Sequence, residues 1–142
     1  MVEESKSNLI KYLGYLTLVL LGLVMVLQLL LAAGVLPVSM AWGGRETELT
    51  PALRGSSLIA VLILGAFAYV VARRTGILGT THSSLMIKIM SWLISGYLGL
   101  NMLGNFNSPS AGERWLFGPI TLVLFISCLI ISASKSAPVE MK

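Results

Sequence analysis

The chain has 142 residues, of which 56% are hydrophobic and 11% charged. Soluble domains carry about 25% charged residues. Too few are present here to coat a water-exposed surface, and the mean hydropathy of +0.87 places the chain in a membrane. The net charge of +4 is no nucleic-acid footprint, because the basic residues stand at the ends of apolar runs and form no stripe.

The first apolar run, Leu13 to Leu36, follows the mixed-charge start "MVEESKSN". It is too long for the core of a cleaved leader and right for a spanning helix, so a first span is predicted over about residues 9–35. A loop follows, "SMAWGGRETELTPALRGSS", bracketed by Pro37 and Pro51. Pro37 is expected to stop the first helix. Pro51, behind Thr50, suits the first turn of the second, with Thr50 as its cap. The second span is predicted over about 52–72, the third over about 85–103 and the fourth over about 115–133. Each approaches the ~20 residues that cross ~30 Å of hydrocarbon, and helix is the structure that satisfies an isolated apolar backbone there. The predicted fold is therefore an all-α, integral membrane four-helix bundle formed by one membrane domain, residues 1–142.

Orientation follows from the basic residues. Lys6, Lys11, Arg73, Arg74, Lys88, Lys135 and Lys142 flank one side, and Arg45, Arg54 and Arg114 the other. Both termini are expected in the cytoplasm, with the Trp42 loop facing outward from a plasma (inner) membrane. Ser91, Ser95 and Gly99 recur every four residues in the third span; Ser56, Ala60, Ala68 and Ala72 keep that register in the second. Small residues so spaced let helices approach closely in lipid, which predicts tight packing of spans two and three.

A catalytic set is not apparent. The chain lacks aspartate, and no glutamate falls in a predicted span. A buried intramembrane charge, the usual mark of proton-coupled transport, is thus missing. His82 in "GTTHSSL" has neither a neighbouring nucleophile nor partner ligands, and reads as a loop histidine. Cys128, alone in an apolar run, reads as a packing residue. No cofactor, metal or enzymatic activity is expected.

The polar residues that remain gather on the outward side. Gln28 and Asn101 lie inside apolar spans. Carboxamides there want partners, and the reading preferred is a bond between helices; the alternative is the floor of an outward-facing cavity. The loops add Trp42, Arg45, Glu46, Arg54, Asn105, Glu113 and Arg114. Three arginines (Arg45, Arg54, Arg114) face three glutamates (Glu46, Glu48, Glu113) in these loops. This balance predicts a cap closed by Arg45 or Arg54 against Glu113.

These loops also resemble those of a widespread group of small uncharacterised bacterial membrane proteins. That group carries A-W-G-G after its first helix, then L-P and L-R. A last-loop S-x-S-x-x-E-R motif follows, with a proline a few residues on. The matching residues are Ala41-Trp42-Gly43-Gly44, Leu49, Pro51, Leu53-Arg54, then Ser108, Ser110, Glu113-Arg114 and Pro119. The resemblance spans about residues 37–133 and departs at "LTPALR", where one residue separates leucine from proline. It implies four helices and carries no activity. The expected function is that of a binding or accessory membrane protein with an outward polar cap, partnered by lipid and by another membrane protein or a second copy of itself. The alternative is a small-solute or lipid transporter acting as an oligomer.

Overall fold

A computed structural model describes residues 2–79 and 84–134. His82, Lys135 and Lys142 lie outside the described residues. Among the described residues four helices are long and apolar enough to cross a membrane: α1 (Val2–Ala33), α2 (Pro51–Arg74), α3 (Leu85–Asn107) and α4 (Gly118–Ala133), the last counted together with the π-helical turn that leads into it, Glu113–Phe117. Two short 3-10 turns, Val38–Met40 and Trp42–Gly44, shape the connection after α1.

The helix ends follow local chemistry. Gly34, at φ +77°, closes α1, with Val35 N–H donating to Leu30 O at 2.9 Å and Gly34 N–H to Leu31 O at 3.1 Å. This paired bonding around a left-handed glycine satisfies carbonyls left open by the last turn; the stop comes at Gly34, ahead of Pro37. Thr50 caps α2 by accepting Leu53 N–H at 3.3 Å, with Pro51 behind it. α3 runs on to Asn107, beyond the predicted end near 103. Asn107 stays helical by donating from Nδ2 to Leu103 O at 2.8 Å. In the first turn of α4, Pro119 has no N–H to give, and Gly118 N–H reaches back to Glu113 O across the wider π turn, an adjustment common where the regular ladder is interrupted.

Neighbours in sequence pair in space: α1 packs along α2 and α3 along α4. α4 also touches α1, while α2 and α3 meet over a smaller area. The small face of α3 thus meets α4, not α2 as the sequence suggested. Ser95 Oγ lies 3.0 Å from Ser132 Oγ, and Gly99 sits where a Cβ would come 3.0 Å from the Phe125 ring. Between the helices lies a core that includes Leu21, Leu31, Val71, Ile94, Leu98, Leu124 and Ile131. Cys128 packs inside it as a free thiol. Many large apolar side chains point outward, among them Val19, Leu62, Leu100 and Ile126.

Candidate functional site

The two ends of the bundle differ. At the Arg74 end the helices close. Arg74, 5% exposed, donates from Nη2 to the carbonyls of Ser132, at 3.2 Å, and Ser134, at 2.5 Å. These are orphan carbonyls at the C-terminus of α4, where a cation is also favoured by the helix dipole. Next to it, buried Thr75 donates to Val71 O at 2.8 Å. Gly14 of α1 lies so close beneath Thr75 and Ile77 that a Cβ would come within 2.8 Å of each.

At the Trp42 end, two loops are stapled together. Glu113 is the hub. Its carboxylate accepts Gly43 N–H at 3.0 Å and a short hydrogen bond from the Ser108 hydroxyl. Ser110 N–H donates to Ser108 Oγ at 3.0 Å, and Ser110 Oγ donates to Ser39 O at 2.9 Å. The S-x-S-x-x-E spacing therefore holds the last loop to the backbone of the first. The approach is close: a Cβ on Gly112 would lie 2.6 Å from Met40 O, and one on Gly44 2.9 Å from Ser110 Cβ. Trp42, Gly43 and Gly44 all hold positive φ, which only the glycines adopt without strain. The expected Arg45–Glu113 or Arg54–Glu113 pair does not form. Among the described residues no arginine lies within ion-pair distance of Glu113, and Arg45 and Arg54 are exposed. Backbone and hydroxyl donors reached the carboxylate first.

Beneath this staple lies a cavity of about 440 Å³. Its polar wall is a ladder on α3. Asn101 Nδ2 donates to Tyr97 Oη at 3.3 Å; Asn105 Nδ2 donates to Asn101 Oδ1 at 3.0 Å and to Thr121 Oγ1 of α4 at 3.2 Å. Tyr97, Asn101 and Asn105 recur every four residues, so one helix face carries all three. Opposite stand Val24 and Gln28 of α1 and Ser56 and Ala60 of α2. Trp42, Glu113 and Phe117 roof it, and Leu64, Leu98 and Leu124 line the apolar remainder.

Gln28 and Asn101 both reach this cavity, yet they do not bond to each other. Gln28 Oε1 is buried and accepts no hydrogen bond from the described residues. Both line the cavity, as the alternative reading has it; of the preferred one, a bond between helices, the link seen is indirect, from Asn101 through Asn105 to Thr121 of α4. Of the other singled-out residues, Trp42, Asn105 and Glu113 line it as well. Arg45, Glu46, Arg54 and Arg114 do not, and all four are exposed; Arg114 donates to Pro109 O at 3.5 Å. Sequence reasoning passed over Tyr97 and Thr121, and read Ser56 only as part of a small packing face. The Tyr97–Asn101–Asn105 spacing was a visible signal for the first of these, while the convergence of Thr121 and Ser56 depends on helix placement. Among the described residues no cluster of three metal-ligating side chains occurs. Comparison of the chain with protein-family models, with curated proteins and with solved structures finds no match in any of the three.

Proposed function

We propose that the protein is a multi-pass membrane binding protein of the plasma membrane, that its termini lie in the cytoplasm, and that its outward Trp42 end holds a ligand site, the cavity under the Glu113 staple. One observation carries the reading. Gln28 lines a cavity whose other side is a carboxamide ladder, and its covered side-chain oxygen, Oε1, has no donor among the described residues. Buried polar groups in a finished core are paired, so unused capacity on a cavity wall is what a binding site keeps for its occupant. The orientation rests on the gathering of Lys6, Lys11, Arg73, Arg74 and Lys88 at the Arg74 end and the rule that basic residues stay cytoplasmic.

The transporter reading has less support. A path through one copy would have to pass the Arg74 end, where Arg74, Thr75 and the Ser95–Ser132 contact close the helices. A strictly monomeric state in nanodiscs would remove that reading.

Two experiments test the proposal. Gln28→Leu is expected to leave unfolding stability in detergent unchanged or to raise it, since it removes an unsatisfied buried acceptor. A loss of about 0.5–2 kcal/mol would show that Gln28 holds helices together and not a ligand. For orientation, Ser84→Cys and Asn107→Cys are made in a Cys128→Ala background and treated in intact cells with an impermeant thiol reagent. Both positions are exposed. Labelling is expected at residue 107 and not at residue 84; the reverse pattern turns the protein over.

A further inference from the structure

We infer that the cavity takes an amphiphile with a non-anionic, hydrogen-bond-donating head, and that this molecule enters sideways from the bilayer between α2 and α3. The inference deepens the binding reading above and rests on it.

The entry route comes from exposure. Ile59 and Ile63 of α2 and Tyr97 of α3 line the cavity, yet are 58%, 44% and 48% exposed. The cavity therefore breaks the surface along the α2–α3 seam, where these two helices pack least closely of the sequence neighbours. The seam is shut at depth by the edge-on contact of Phe67 with Tyr97, ring centroids 5.5 Å apart. Above that contact its lips are apolar side chains on helices of membrane-spanning length. A water-soluble solute has no reason to approach through such lips. An acyl or alkyl chain does, because it can lie against Ile59 and Ile63 while its head reaches the ladder.

The head chemistry comes from charge. Among the described residues Glu113 is the one charged residue lining the cavity. The arginines of this end, Arg45, Arg54 and Arg114, are turned out to the surface. A phosphate or sulfate head would thus meet a carboxylate and no cation, an uncompensated repulsion in a low-dielectric site. The open valences favour donors. Gln28 Oε1 accepts nothing from the described residues, and Glu113 retains lone pairs beyond its bonds to Gly43 N–H and Ser108. A hydroxyl or ammonium head can donate to Glu113, and to Gln28 Oε1 once that side chain turns its covered oxygen toward the cavity. The ladder from Asn105 down to Tyr97 spans about 12 Å along the helix, long enough to align a head and the first part of its chain.

The test uses the purified full-length protein in a neutral detergent and native mass spectrometry. The probes are a monoacylglycerol, a primary alkylamine and an alkyl sulfate of one chain length. Retention of one monoacylglycerol and one alkylamine per chain is expected, each at least about tenfold over the alkyl sulfate, a difference of about 1.4 kcal/mol. Ala60→Phe, which fills the cavity from α2, is expected to abolish retention. Gln28→Leu, close to the native shape, is expected to weaken retention of the monoacylglycerol while the protein still folds. Equal retention of the sulfate overturns the head-group inference and leaves the binding site standing. Retention unaffected by both substitutions places the amphiphile elsewhere and overturns the inference. If none of the three probes is retained, the binding reading falls with it.

Discussion

The Trp42 end and the Arg74 end are built from the same kinds of residue and put them to opposite uses. At the Arg74 end a cation is buried and its hydrogen bonds run to the carbonyls of Ser132 and Ser134. At the Trp42 end Arg45 and Arg54 stand exposed, a carboxylate is stapled to backbone, and the buried amide oxygen of a cavity-lining glutamine has no donor among the described residues. One end uses its polar groups to finish the fold. The other finishes only its roof and leaves capacity on the walls beneath. A charged residue at the end of an apolar helix is thus not informative by its presence; what it bonds to decides whether it is architecture or site.

The contrast can be broken most forcefully at the closed end. Arg74→Ala leaves the α4 carbonyls without their buried donor, and a stability loss of about 3 kcal/mol is expected in detergent unfolding. A loss below about 1 kcal/mol would mean that the Arg74 end is as loosely finished as the other.

A smaller effect is expected in the roof. Gly112→Ala drives a methyl against Met40 O, where a Cβ would stand 2.6 Å away. The loops must part, at a cost of about 1–3 kcal/mol. Because the same displacement lifts the roof, Trp42 fluorescence in a Trp92→Phe, Trp115→Phe background should shift to the red. Unchanged stability and emission would show that the roof is not held closed by this contact.

The least effect belongs to the exposed arginines. Arg54→Ala is expected to change stability by less than about 0.5 kcal/mol. Combined with Glu113→Ala it should be additive within about 0.5 kcal/mol. A larger coupling would restore the arginine–glutamate cap that charge balance suggested, and would give the Trp42 end an ion pair of its own.

Much of the architecture was legible. Apolar runs announced four helices, and Thr50-Pro51 announced how α2 begins. The helix pairing was not legible. Ser91, Ser95 and Gly99 mark a face of α3 that admits close approach, but a small side chain does not specify which helix fills the space it leaves. α4 does so through Ser132 and Phe125. Glu113 illustrates a second limit. Formal charges counted over a loop suggested an arginine partner, whereas Gly43 N–H and Ser108 lay nearer. Ser108 was within reach of sequence reasoning, five residues before Glu113. Gly43 was not, because seventy residues separate it from Glu113. In the cavity, the α3 ladder was written in four-residue spacing, but Gln28 and Thr121 join it only through the rotation of α1 and α4.

The π turn at Glu113–Phe117 bears on that rotation. An α-helix advances about 100° per residue, so a helix without the wider turn would tie the bearing of Glu113 rigidly to the face carrying Leu124 and Ile131. The additional residue acts as a swivel joint. It lets the carboxylate be aimed at Gly43 while α4 keeps its own bearing in the core. Two demands on a single segment, one from the loops and one from the bundle, are thereby separated.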